Sequence, residues 1–162
     1  MFQLWLVVDG LAVLVDVEPP AMVTRLIRFF SYFTILSNIL VLATSASLAS
    51  DPNRDGRVWR VLRLNAIVGI IVTGVVHWFF LRPILHLSGA PFVADKLVHV
   101  AVPLLAVVGW VAFGPRARIS PADLLPSLIY PVLWVGIAAL VLLFSWLLLV
   151  ADRRLTAGQR NT

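Results

Sequence analysis

The sequence contains no cysteine and carries little charge. The lack of cysteine excludes disulfides, thiol nucleophiles and thiolate metal sites. Only 13% of the 162 residues are charged and 60% are hydrophobic, whereas about a quarter of the residues of a soluble domain are charged. The mean hydropathy is +0.96. A water-soluble fold of this size could not bury so much apolar surface, so the composition predicts an integral membrane protein.

The few charges are segregated, and residues 29–50, 64–81 and 124–150 carry none. Each stretch has close to the roughly 20 residues that a helix needs to cross a bilayer. The sequence lacks the short alternating strands of a barrel, and a segment in lipid must satisfy its own backbone hydrogen bonds, which favours helices. We therefore predict an all-α, polytopic transmembrane helical bundle of about five spans, with a single domain over residues 1–155 and a polar tail at 156–162. The predicted spans are 2–17, 29–48, 64–81, 97–113 and 125–150.

The formal net charge is +5 at pH 7. Basic residues beside membrane spans orient the chain and contact anionic lipid, so we predict membrane lipids as partners and no nucleic acid. The loops after spans two and four carry six Lys and Arg residues, against four after spans one and three, which predicts a multi-pass cell-membrane protein with the former loops in the cytoplasm. The basic tail then lies outside after five spans, which predicts that part of a span is missing.

Three polar side chains are predicted to lie at one depth, beneath the outer surface of the membrane. At about 1.5 Å per helical residue, Thr34 lies about 9 Å from the outer start of span two, and His99 about 5 Å from that of span four. His77 lies about 7 Å below the same surface. A hydroxyl and an imidazole at matching depth can act as nucleophile and general base when their helices face each other. Thr34 and His99 are therefore predicted catalytic residues.

Two further side chains join this group. Asp95 precedes His99 by four residues, which places both on one helical face, where the carboxylate can orient the ring as a third catalytic residue. Asn38 follows Thr34 by four residues, and its amide can polarise a substrate carbonyl. Asn38 and His77 are the predicted substrate-binding residues, and a lipid ester is the predicted substrate class.

Each of these residues also has a purely structural interpretation. A threonine in a span usually bonds to its own helix or joins neighbouring helices. His99 can face the lipid headgroups, His77 can belong to an interfacial aromatic belt, and Asp95 can form a solvated ion pair. We predict no metal site, because three histidines on separate elements without a ligand-spacing motif are a weak signal. We also predict no dissociable cofactor.

Two sequence blocks carry a family resemblance. The first is Phe-Phe-Ser-Tyr-Phe-Thr-Ile-Leu-Ser-Asn-Ile-Leu-Val at 29–41, and the second is Asp-Lys-Leu-Val-His-Val-Ala-Val-Pro at 95–103, followed by Phe-Gly-Pro at 113–115. Together they resemble the bacterial membrane proteins called the Pr-six-Pr family, distant relatives of the androgen-induced and androgen-dependent-TFPI-regulating proteins of animals. The resemblance implies a bacterial inner membrane. It also implies six spans and hydrolysis of fatty acid esters of hydroxy fatty acids, with Thr34 and His99 matching the threonine and histidine of the animal proteins.

The C-terminal part departs from that family pattern, since 127–131 resembles the start of a fifth span and 143–155 the end of a sixth. The leading hypothesis is an intramembrane lipid-ester hydrolase. The alternatives are a non-enzymatic membrane protein, either an assembly partner or a small transporter, and an inactive truncated family member. No span carries paired charges through its middle, which disfavours transport. Gly69, Thr73 and Gly74 offer a close-packing surface for an assembly partner, and the oligomeric state is left open.

Overall fold

The computed structural model describes residues 2–10, 21–114 and 120–159. The protein is 85% helical, with no strand in these ranges, which confirms the all-α prediction. The helices are α1 (Phe2–Val8), α2 (Met22–Ser31), α3 (Phe33–Ser50), α4 (Arg57–Val76), α5 (Gly89–Lys96), α6 (Val102–Phe113), α7 (Pro121–Ser127) and α8 (Ile129–Gln159). The described ranges also contain a first π-helical turn at His77–Leu81 and a second at Leu97–Ala101.

Four helical segments within the described ranges are long and apolar enough to cross a membrane. They are Phe33–Ser50, Arg57–Leu81, Gly89–Phe113 and Pro121–Val150. Large apolar side chains cover their outer surfaces; Leu105 is 71% exposed and Phe113 is 88% exposed. Extensive apolar surfaces of this kind, on helices long enough to cross a bilayer, are typical of contact with membrane lipid. The chain is therefore a multi-pass transmembrane helical bundle, which is compatible with the prediction of about five spans.

The remaining predicted span, 2–17, lies only partly within the described residues. Its first part forms α1, which ends at Val8. Residues 11–20 fall outside the described ranges, so whether this segment crosses the membrane stays a prediction.

Contacts divide the chain into two compact units, Met1–Ser127 and Leu128–Thr162. The described part of the second unit consists of α8, a continuous helix of 31 residues. The segment in which the sequence suggested a joint between two spans, 127–155, is therefore helical without a break from Ile129 onward. The prediction of a single domain over 1–155 stays a prediction.

The predicted second span, 29–48, begins later in the structure than the sequence indicated. Tyr32 adopts an extended conformation, with φ −72° and ψ 129°, and separates α2 from α3. On α2, Arg25 Nη1 donates a hydrogen bond of 2.7 Å to Val7 O near the end of α1, where helix carbonyls lack intrahelical partners. This contact ties α2 to α1, and the spanning helix starts afresh with Thr34 in its first turn.

The core of the first unit lies between α3, α4 and α6. A buried cluster is formed by Val41, Ala66 and Ile70. Gly69 and Thr73 are buried in the same face of α4, so they pack inside this chain instead of offering a surface to a partner. These contacts weaken the sequence-based case for an assembly partner.

Gly74 lets α4 approach the α6 segment closely. A Cβ at Gly74 would lie 3.4 Å from Pro103 Cβ and 3.5 Å from the carbonyl oxygen of His99. A larger residue would therefore press against the backbone of the second π-turn. This close approach brings the end of α4 beside His99.

The first π-turn closes the third predicted span. Arg82 N–H bonds to His77 O at 2.8 Å, five residues back instead of the four of an α-helix. Pro83 follows, and proline has no N–H with which to continue the helical ladder. The span therefore ends in a widened turn that begins with His77.

The second π-turn leaves a backbone carbonyl free for another partner. Val102 N–H donates to Leu97 O and not to Val98 O, which would be its acceptor in an α-helix. Pro103 cannot donate to Val98 O either, because proline lacks an N–H. The free oxygen lies one residue before His99, and π-turns of this kind often occur at functional sites.

Candidate active site

Thr34 and His99 come together although 65 residues separate them in the sequence. Thr34 Oγ1 lies 3.3 Å from His99 Nε2. Thr34 is in the first turn of α3 and His99 is in the second π-turn. Both side chains are partly buried. The hydroxyl and the imidazole that the sequence placed at one depth are therefore within hydrogen-bond reach.

Asp95 determines which nitrogen of His99 carries the proton. Asp95 Oδ1 lies 2.9 Å from His99 Nδ1, and the backbone oxygen of Asp95 lies 3.1 Å from the same nitrogen. Both oxygens are acceptors, so in the neutral ring the hydrogen is assigned to Nδ1. Nε2 is then free to accept the hydrogen of the Thr34 hydroxyl, which gives a hydroxyl–imidazole–carboxylate series.

The carboxylate of Asp95 is buried, with 8% of its side chain exposed. Its second oxygen, Oδ2, lies 3.2 Å from Lys96 Nζ and 3.4 Å from His77 Nε2. A buried carboxylate is costly unless polar groups surround it, and here an ammonium group and two imidazoles do so. The alternative of a fully solvated Asp95–Lys96 pair therefore does not describe this site.

His77 is the most deeply buried side chain of the group, at 1% exposure. Its ring stacks on that of His99, with the centroids 4.3 Å apart and the planes 15° apart. Neither ring nitrogen has a hydrogen-bond partner among the described residues, although Nε2 is close enough to Asp95 to sense its charge. Leaving a buried polar group unsatisfied costs about 1–3 kcal/mol. Its predicted role as a substrate contact stays a prediction.

Asn38 joins α3 to the second π-turn. Its Nδ2 donates to Thr34 O at 2.8 Å and to Val98 O at 3.2 Å. The second acceptor is the carbonyl that the π-turn and Pro103 leave free. Both amide hydrogens are thereby used, so polarising a substrate carbonyl would require one of these bonds to break. The observed contacts favour positioning of Thr34 beside His99, and the substrate-binding role stays a prediction.

The same cluster contains potential metal ligands. One ligand atom each from His77, Asp95 and His99 lies within 4.8 Å of the others. An imidazole binds a metal in the plane of its ring, however, and two rings stacked 15° apart do not direct their nitrogens at one point. A metal would require one ring to rotate. The sequence placed these three side chains in one group, but it predicted no metal site because no ligand-spacing motif is present.

Sequence reasoning missed the two π-turns, although a signal for them exists. Pro83 and Pro103 each stand two residues after the end of a π-turn, inside or at the edge of an apolar stretch. A proline in such a position removes one backbone donor and disturbs the helical ladder. Each proline therefore marks the turn that carries one of the two stacked histidines.

Comparison with known proteins yields no matching family model, no matching curated protein and no matching solved structure. The resemblance to the Pr-six-Pr family thus stays a prediction that rests on the blocks 29–41 and 95–103.

Proposed function

We propose that this protein is an intramembrane hydrolase of lipid esters, with Thr34 as nucleophile, His99 as general base and Asp95 as the residue that orients His99. One observation carries the proposal. His99 Nε2 lies 3.3 Å from Thr34 Oγ1 while His99 Nδ1 lies 2.9 Å from a buried Asp95 oxygen. A base held in this tautomer beside a hydroxyl is the arrangement that activates a weak oxygen nucleophile.

In the first half-reaction, Thr34 Oγ1 forms a bond to the ester carbonyl carbon and its proton passes to His99 Nε2. Asp95 stabilises the resulting imidazolium through the hydrogen on Nδ1. The tetrahedral intermediate collapses when the bond between carbon and the alcohol oxygen breaks. The departing alcohol takes the proton from His99, and the acyl group remains on Thr34.

In the second half-reaction, a water molecule attacks the acyl carbon and gives its proton to His99 Nε2. The bond between the acyl carbon and Thr34 Oγ1 breaks, and Thr34 recovers that proton. A carboxylic acid leaves the site, and the protein returns to its starting state. Atoms and protons balance with water as the second substrate.

The surroundings suit an apolar ester that enters from lipid. Large apolar side chains on the outer surface of the bundle face lipid, and His99 is only 12% exposed. Polar interactions are stronger in such a low-dielectric site than in water. The family resemblance adds fatty acid esters as the substrate class and a bacterial inner membrane as the location.

The test is ester turnover by the purified full chain in detergent, measured with a chromogenic long-chain ester and with a hydrolase-directed fluorophosphonate probe. Thr34→Ala should reduce turnover by roughly 10²-fold or more and abolish labelling, because it removes the attacking oxygen. Thr34→Ser should retain both.

Thr44→Ala is the matched control for this test. Thr44 is a buried threonine of the same helix whose Oγ1 donates to Leu40 O at 2.7 Å, so its loss should leave turnover unchanged. Turnover or labelling that persists in Thr34→Ala would refute the mechanism. The non-enzymatic and inactive alternatives predict no difference between Thr34→Ala and Thr44→Ala.

A further inference from the structure

A second feature lies toward the other end of α3, away from Thr34. A partly open cavity of about 210 Å³ lies between α3, α4 and α6. Its lining includes Thr44 and Ser45, about ten residues or 15 Å along the helix from Thr34. Most of its walls are apolar, among them Val41, Leu105 and Phe113. The cavity is therefore separate from the candidate active site.

Arg63 is the charged residue in the lining of this cavity. It is partly buried, and no ion pair or hydrogen bond joins it to another residue in the part of the chain that the structure describes. Arg60, one turn earlier, differs, because it lies 3.1 Å from Asp55 and 3.4 Å from Asp123. A partly buried cation without a counter-ion is unfavourable. An anion from outside the chain would relieve this cost.

The size and shape of the cavity restrict what that anion is attached to. Pockets for drug-sized ligands usually measure about 300–1,000 Å³, so a cavity of 210 Å³ is small and has room for a short stretch of one alkyl chain. Leu105 and Phe113 are 71% and 88% exposed, so these walls continue into the lipid-facing surface. Gly109 also lines the cavity, and a Cβ built there would meet nothing within 4 Å. The absence of a side chain at Gly109 keeps the space open.

We propose that this cavity binds a single-chain anionic amphiphile, with the Arg63 guanidinium pairing with its carboxylate or phosphate head and the apolar walls holding its first carbons. A guanidinium offers two parallel N–H donors that match the oxygens of either head group. The chain enters from the lipid side, along Leu105 and Phe113. This binding site is independent of the proposed hydrolase activity.

The test uses the purified full chain and stearic acid bearing a photoreactive diazirine, with the labelled positions mapped by mass spectrometry. Labelling should concentrate on residues 105–113 and saturate. Arg63→Gln should reduce this labelling roughly tenfold or more, because it removes a charge-assisted pair. Gly109→Leu should abolish it by filling the cavity without a backbone clash.

Two matched variants serve as controls. Arg57→Gln removes an exposed arginine of the same helix that does not line the cavity. Gly136→Leu adds the same side chain at another helical glycine with open space around its Cβ. Both should retain the labelling of residues 105–113, and comparable thermal unfolding of all variants shows that folding is intact.

Competition distinguishes the head groups. Displacement by oleate alone assigns the site to carboxylates, displacement by lysophosphatidylglycerol alone assigns it to phosphates, and displacement by both shows selection by charge. Each of these results supports the proposal. Equal displacement by neutral monoolein, or unchanged labelling in either Arg63→Gln or Gly109→Leu, overturns it.

Discussion

A threonine hydroxyl is a weak nucleophile until a base within hydrogen-bond reach accepts its proton. In this protein the base is held by two acceptors on one side of its ring, since both the carboxylate and the backbone oxygen of Asp95 face His99 Nδ1. The stacked ring of His77 restricts His99 further, because it covers one face of that imidazole. His99 therefore has little freedom to turn away from Thr34.

Replacing Asp95 by asparagine should lower kcat without unfolding the protein. The substitution removes the negative charge that stabilises the imidazolium and lets an amide hydrogen compete for Nδ1. The same change in a serine-protease triad costs roughly 10⁴-fold in kcat. Here the backbone oxygen still accepts from Nδ1 at 3.1 Å, so we expect a smaller loss, roughly 10- to 1,000-fold. Turnover of a long-chain ester measures it.

Asp51→Asn provides the comparison, since Asp51 lies in an exposed turn where its carboxylate accepts from Asn53 N–H. It should leave kcat unchanged. Wild-type kcat in Asp95→Asn would show that the carboxylate has no part in orienting or stabilising the base.

At the level of elements, the sequence predicted helices well and their irregularities poorly. The charge-free stretches indicated three of the membrane-crossing segments because hydropathy reports how much lipid contact a segment tolerates. Hydropathy does not indicate which carbonyl oxygen each backbone N–H bonds to, so the break at Tyr32 and both π-turns were missed. Thr34 and His99 were found because helical rise converts sequence position into depth. The stacking of His77 on His99 depends on helix rotation, which no single segment encodes.

Pro103 is expected to lower the stability of the protein while it maintains the geometry of the candidate site. Replacing it by alanine supplies an N–H to the carbonyls of the preceding turn, so the second π-turn can relax to an α-helix. Helix propensity and the new hydrogen bond should raise the unfolding free energy by about 1–3 kcal/mol. Relaxation would rotate His99 away from Thr34 and release Val98 O from Asn38, so turnover should fall.

Thermal unfolding in detergent and ester turnover, measured on the same preparations, check this prediction. Pro126→Ala is the matched substitution, because Pro126 lies inside α7 and outside the candidate site. It should raise stability without lowering turnover. A Pro103→Ala variant with full activity would show that the π-turn is not needed to place His99.

Both proposed sites, the Thr34 site and the Arg63 cavity, lie in the compact unit Met1–Ser127. The Thr34 site lies at the beginning of α3, and the Arg63 cavity lies toward its end. A spanning helix carries its two ends to opposite faces of the bilayer. The two sites therefore face different leaflets, and the orientation of the chain decides which leaflet supplies the ester.

The distribution of Lys and Arg predicts that the turn between α3 and α4 is cytoplasmic, so the Thr34 site should lie beneath the outer surface. Because the sequence has no cysteine, an introduced cysteine is the only target for a membrane-impermeant maleimide. Asn53→Cys, in that turn, should be protected in intact cells, and His86→Cys, between the first π-turn and α5, should react. Both should react after permeabilisation, which controls for local burial. The reverse pattern would place the Thr34 site in the cytoplasmic leaflet, and the ester would then have to come from inside the cell.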